Sequence, residues 1–231
     1  MMNEFFKDSL FAGVTMSLIA YAAGVFLKKK WKLGLFNPLL ISIALSILVL
    51  VIADVDYETY NKGASYLSWF LTPATVCLAI PLYEQWPLLK RNYKAVLFGL
   101  LAGVLTSLST VCVLAKLMKL SQKEYVTLLP KSITTAIGMG ISEELGGYVT
   151  ITVAVIIITG IIGNVLAETI CRVFKIEEPV AKGIAIGSSS HALGTAKALE
   201  LGEIEGAMSS LSIAVAGILT VIAAPIFATM L

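Results

Sequence analysis

The stretch Gly183-Ile184-Ala185-Ile186-Gly187-Ser188-Ser189-Ser190-His191-Ala192-Leu193-Gly194-Thr195-Ala196-Lys197 decides how this chain is read. Its flanks are apolar, but its centre is small, polar and glycine-rich, and it holds the one histidine of the chain. In hydrocarbon each unsatisfied polar group costs several kcal/mol, so irregular polar backbone persists only against protein or a watery cavity. The stretch therefore predicts a helix broken near the membrane midplane, with a site at the break. The alternative reading is close packing of small residues, with Ser and Thr bonding across helices. Under that alternative His191 is a satisfied buried histidine, although ionisable residues in spans are functional by default.

The membrane setting follows from composition. Of 231 residues, 58% are hydrophobic and 14% charged, whereas soluble domains are about half apolar and a quarter charged. The mean hydropathy is +0.89. The expected class is all-α: a polytopic membrane protein with about seven spans, at roughly 20 residues each, plus a re-entrant half-helix. Residues 1–231 read as one integral membrane domain, with lipid as surroundings and no nucleic-acid partner. Cys77, Cys112 and Cys171 sit in or beside apolar runs at no metal-like spacing, so packing is their expected role. No cofactor or metal is expected.

Working outward, the apolar runs are residues 9–27, 35–53, 64–83, 95–115, 149–167, 183–201 and 207–231. Lys28, Lys29, Lys30 and Lys32 follow the first run, which is a retained span rather than a signal peptide. The positive-inside rule then puts the N-terminus outside. It puts Lys90, Arg91 and Lys94, and the loop from Arg172 to Lys182, inside. The acidic exit at Glu200, Glu203 and Glu205 is expected outside. Residues 128–140 are short and polar, and read as re-entrant. Lys116, Lys119, Lys123 and Lys131 are the misfit, basic residues on the outer side.

Two features favour a site. A faint repeat runs at an offset of 120 residues, pairing Lys62-Gly63 with Lys182-Gly183 and Thr75 with Thr195. The approximate repeats are 34–115 and 128–231, with 9–27 as an extra N-terminal span. Each contains an interrupted run: Thr72-Pro73-Ala74-Thr75 in one, Ser188 to Thr195 in the other. Paired interrupted segments in an inverted repeat are the sequence pointer to a transporter site. The expected picture is two broken helices crossing near the midplane. A broken helix also frees N–H groups that carry about half a positive charge and attract anions. Ser188, Ser189 and Ser190 would add hydroxyls, and His191 can donate or titrate. Gly194, Thr195, Thr72, Pro73 and Thr75 complete the breaks, and Thr134 and Thr135 are expected to line the cavity from the re-entrant element. A small carboxylate is the natural ligand. Lys197 either reaches the surface or joins the cavity.

An enzyme is not expected. Ser190 and His191 are adjacent, so the base does not come from a separate element to meet the nucleophile. The glycine-serine run also lacks the G-x-S-x-G elbow.

Three motifs carry a resemblance. Thr75-Val76-Cys77-Leu78-Ala79-Ile80-Pro81-Leu82-Tyr83, Leu129-Pro130-Lys131-Ser132-Ile133-Thr134-Thr135-Ala136 and Ser190-His191-Ala192-Leu193-Gly194-Thr195-Ala196-Lys197-Ala198-Leu199-Glu200 resemble the LrgB/CidB family of bacterial membrane proteins, in wording nearer CidB. The resemblance spans nearly the whole chain. It implies a multi-pass protein of the bacterial cytoplasmic membrane that controls murein hydrolases and autolysis. The implied partner is a small membrane protein of the LrgA/CidA type, in a holin/antiholin-like arrangement. A plant plastidial relative resembles a fusion of the two and moves glycolate and glycerate; bacterial relatives are linked to pyruvate and similar monocarboxylates. The residues favour a carrier, plausible as a homodimer; the alternative is a holin-like pore or regulator.

Overall fold

The computed structural model describes residues 9, 11–31, 37–70, 73, 76, 77 and 79–231. It forms two compact units, Met1–Cys77 and Leu78–Leu231. Among the described residues the regular structure is all helical, with no strand.

In the first unit, α1 (Ala12–Trp31) packs on α2 (Pro38–Ile52) and α3 (Tyr57–Ala64), and a 3-10 turn (Ser65–Phe70) follows. Pro38 opens α2 at a position needing no N–H, and the Asn37 side chain caps it, accepting from Leu39 N at 2.9 Å. The Ser17 and Tyr60 hydroxyls meet at 2.7 Å and tie α1 to α3. Thr72 and Thr75 lie outside the described residues, so the expected first break is not seen; Pro73 is exposed in this unit.

The second unit contains α4 (Ala79–Glu84), α5 (Trp86–Met118), α6 (Gln122–Leu128), α7 (Thr135–Glu144), α8 (Val149–Val173), α9 (Pro179–Leu201) and α10 (Glu203–Ala228). Among the described residues, α5, α8 and α10 are the three helices long and apolar enough to cross a bilayer. Their relative directions follow from packing. Val96 and Leu100 of α5 share a core with Ala207 and Met208 of α10. Val111 and Ala115 meet Ala228 at the other end. So α5 and α10 run parallel. The α8 start adjoins Thr127, and its end, at Ala167 and Cys171, adjoins Ala198. So α8 runs the opposite way.

Between these helices lie two helical hairpins. The first is α6, a turn, and α7. The Tyr148 amide donates to the Thr127 hydroxyl at 2.8 Å, and the Thr152 hydroxyl donates to the Thr127 carbonyl at 2.9 Å and lies 2.7 Å from Ser142 Oγ. The chain thus leaves at Thr127 and comes back to the same end of α8. The second hairpin is α9 itself. His191 adopts φ 43° and ψ −139°, and the helix reverses there. A Cβ on Gly194 would lie 3.0 Å from the Ile186 carbonyl oxygen; a straight helix holds residues eight apart about 12 Å from each other.

This corrects the sequence expectation. Residues 183–201 do not cross beside α10; they go in and fold back. The first arm runs parallel to α10, with Gly183 against Glu205 and Gly187 against Ser209. The second arm runs antiparallel to it, with Thr195 Oγ1 2.7 Å from Ser209 Oγ and Gly206 against Leu199. Glu200, Glu203 and Glu205 therefore lie at the same end as the Arg172–Lys182 loop, not at the opposite one. The expected direction of α10, antiparallel to α5, reverses for the same reason. Hydropathy reads apolar length alone, and two short arms of a hairpin sum to the length of one span.

Lipid tails are as apolar as leucine, so close approach rather than water exclusion must hold these helices together. Glycine supplies the approach. A Cβ on Gly187 would stand 2.5 Å from the Ser209 carbonyl oxygen, and one on Gly160 2.7 Å from the His191 ring.

Candidate functional site

The two hairpins open at opposite ends of α8 and meet tip to tip. Ile156 marks the meeting point: its side chain faces Gly138 of the first hairpin, and its carbonyl takes a hydrogen bond from His191 of the second. A small cavity lies between the tips and the middles of α5 and α10. It measures about 10 Å³, space for roughly one water. Leu129, Ser132 and Ile133 line it from the first hairpin, Ser188 from the second, Val104, Ser107 and Leu108 from α5, and Ala216 and Thr220 from α10. Thr220 lies eight residues before the end of α10, or about 12 Å along it, close to half the thickness of a hydrocarbon core.

The second tip is internally satisfied. His191 is 4% exposed, and its Nε2 donates to the Ile156 carbonyl at 3.0 Å. A carbonyl cannot donate, so that nitrogen carries the hydrogen. Thr195 Oγ1 donates to the His191 carbonyl at 3.0 Å. Asn164 Nδ2 donates to the Leu193 carbonyl at 2.6 Å. The serines turn back onto their own helix: Ser189 Oγ donates to the Ala185 carbonyl at 2.8 Å, and Ser188 Oγ more weakly, at 3.4 Å. Ser190 is buried against Gly163 of α8, with its hydroxyl 3.0 Å from that of Ser189. These bonds give the buried polar side chains at the turn their partners, as buried polar atoms require. His191 thus has the geometry of the satisfied buried histidine. Lys197 lies outside the cavity lining, between Glu168 at 3.4 Å and Glu200 at 3.3 Å.

The first tip is less complete. Lys131 Nζ donates to Ser132 Oγ at 2.9 Å, and Ser132 Oγ is 3.1 Å from Ser107 Oγ. Thr134 precedes α7 but makes no side-chain cap bond, so the first α7 amides are not capped by it. Thr220 is 4% exposed, and its hydroxyl has no hydrogen-bond partner among the described residues.

Of the predicted site residues, the structure brings Ser188 to the cavity and Ser189, Ser190, His191, Gly194 and Thr195 to the adjoining turn. Thr134 and Thr135 stand at the first tip but not on the cavity wall. Sequence reasoning missed Ser107, Ser132 and Thr220. The signal for Ser107 was the cluster Thr106-Ser107 and Ser109-Thr110 inside an otherwise apolar run; Ser132 lay in a motif already singled out.

Residues 17–230 match the LrgB-like family model. The chain is 39% identical over 220 residues to the antiholin-like protein LrgB of Bacillus subtilis strain 168, covering 95% of each chain. It is 38% identical over 216 residues to the antiholin-like protein LrgB of Bacillus mycoides strain KBAB4, covering 93% of this chain and 94% of that one. The Bacillus cereus strain B4264 protein of the same name matches at the same 38%. No solved structure matches the chain. With both the family model and these relatives spanning almost its whole length, this membrane protein belongs to the LrgB-like family.

Proposed function

We propose that this protein is a carrier for small monocarboxylates such as pyruvate or glycolate in the bacterial cytoplasmic membrane. One observation carries the reading: two hairpins that open at opposite ends meet tip to tip around buried hydroxyls at mid-height. Each hairpin gives one face of the membrane a path to the same point, which is what alternating access to a fixed midplane site needs. The order hairpin, α8, hairpin, α10, with α8 and α10 reversed, supports an inverted repeat within the second unit. The first unit would supply the remaining spans of a scaffold, with the protein working as a homodimer beside a small LrgA/CidA-type partner. Control of murein hydrolases and autolysis would then follow from altered metabolite flux.

A second reading is an antiholin-like pore regulator without carrier activity. The names of the Bacillus relatives, antiholin-like proteins, favour it. Uptake of labelled pyruvate and glycolate into proteoliposomes separates the two. The carrier reading expects saturable uptake; no uptake with or without the small partner protein leaves the regulator.

A further inference from the structure

Lys131 is a cation without a counter-charge among the described residues. It sits half-buried at the first hairpin tip, next in sequence to a cavity-lining serine. No carboxylate pairs with it among the described residues, whereas Lys197 and Arg172 both have one. Charges inside a membrane protein are expensive, and they usually pair with one another or mark a substrate path. Ser132 relays the ammonium to the cavity wall through hydrogen bonds of 2.9 and 3.1 Å, ending on Ser107. Across the cavity stands the unpartnered buried hydroxyl of Thr220. A buried hydroxyl without a partner forfeits a hydrogen bond, and so calls for a ligand or water.

Resting on the carrier reading, we propose that Lys131 and Ser132 bind the carboxylate of the substrate, and that Thr220 and Ser188 receive its short polar tail. One cation selects one carboxylate. A second carboxylate would face a wall whose other polar groups are neutral hydroxyls, leaving its charge unpaired. The amides at the start of α7, left uncapped by Thr134, add to the positive field at that end. In the structure the cavity has room for about one water, so a carboxylate enters only when the tips part. The histidine break, in contrast, shapes the site and leaves the charged end of the ligand to the other hairpin, with Ser188 alone reaching the cavity from the second.

The test uses purified full-length protein and pyruvate as probe, with binding and transport read separately. Binding is read in detergent as the pyruvate-induced rise in Tm; transport is read in proteoliposomes. Wild type is expected to gain Tm with pyruvate and much less with succinate. Lys131→Met is expected to weaken pyruvate binding at least tenfold and to raise KM as much. Lys131→Arg keeps the charge and is expected to shift both by only a few-fold. Thr220→Val, close to isosteric, is expected to weaken binding several-fold and covers the case in which Lys131→Met does not fold. Wild-type affinity in either Lys131→Met or Thr220→Val overturns the assignment, as does a wild type that pyruvate does not stabilise. If pyruvate binding depends on Lys131 but no uptake occurs, the site stands and the carrier reading falls. If uptake occurs with unchanged KM in Lys131→Met, the carrier stands and the site falls.

Discussion

The two hairpins adjoin opposite ends of α8 and are built in opposite ways. The second is fastened along its length. Gly183 and Gly187 lay one arm on α10, Gly160 and Gly163 of α8 receive its tip, and Asn164 holds the Leu193 carbonyl. The first is fastened mainly at its open end, through Thr127, Ser142, Tyr148 and Thr152, and its tip keeps a lysine that no carboxylate pairs with among the described residues. The polar-rich segment is thus the more closely packed half, and the unmet bonding capacity lies with the other hairpin. Polarity in a sequence marks where the backbone must be repaired; unmet polarity in the structure marks where something else can bind.

The largest effect expected is a difference of sign between two glycines. Gly187→Ala puts a methyl 2.5 Å from the Ser209 carbonyl oxygen, against backbone that cannot swing away. Overpacking of this kind costs about 1–3 kcal/mol. A Cβ on Gly140 of α7 meets nothing within 4 Å, and alanine in an open helical position gains roughly 0.5–1 kcal/mol over glycine. Tm measurements should therefore fall for Gly187→Ala and rise for Gly140→Ala. Equal responses would show that the hairpins are not differently packed.

Next in size is Asn164→Leu. It removes the 2.6 Å bond to Leu193 and leaves a carbonyl without that donor beside a sharp reversal. The expected loss is about 1–3 kcal/mol. The matching change near the first tip, Ser107→Ala, breaks a 3.1 Å hydroxyl contact, and Ser132 still keeps Lys131. It should cost less, about 1 kcal/mol or below. Thermal unfolding of the two variants side by side checks the order.

These contrasts also explain what the sequence could disclose. The all-helical membrane class was legible because apolar content is a sum over residues. The break at His191 was legible because serine, glycine and a lone histidine are out of place in hydrocarbon. That it is a reversal was not, since a kink and a hairpin share the same residue types. The difference rests on φ at one residue and on glycines of α8 and α10 that are distant in sequence. The cavity was hidden for a similar reason. Ser107, Ser132, Ser188 and Thr220 come from four elements, and each alone reads as a helix-packing hydroxyl. Lys131 looked like a misplaced loop charge because the charge rule assumes that a lysine between spans is in water.

A smaller effect probes the reversal itself. A non-glycine residue at φ 43° and ψ −139° is strained, by about 1–3 kcal/mol for such outliers. His191→Ala and His191→Gly both delete the bond to Ile156, but only glycine relaxes the backbone. The glycine variant should be the more stable of the two by about 1 kcal/mol. Equal stabilities would mean that the backbone at this residue carries no strain for glycine to relieve.

The smallest effect lies at the foot of the first hairpin, outside the long spans. Ser121 and Glu124 form a reciprocal cap: the Glu124 carboxylate accepts from the Ser121 hydroxyl and from the Ser121 amide, both at 2.7 Å, and Ser121 Oγ accepts from the Glu124 amide at 3.3 Å. The Ser121 hydroxyl, then its amide, holds the Glu124 carboxyl below the usual glutamate value of 4.5. A depressed carboxyl contributes stability that is present above its unfolded value and is lost as pH falls through the folded one. Wild type should therefore exceed Glu124→Gln slightly in Tm at neutral pH, and the gap should close as the pH drops below about 4.5. Solvent exposure keeps the gap small. The second hairpin, gripped along both arms by close backbone contact, has no such dependence in its glycine packing. A gap that persists in acid would mean that the carboxylate charge adds nothing to the cap, and that α6 is held by its buried neighbours alone.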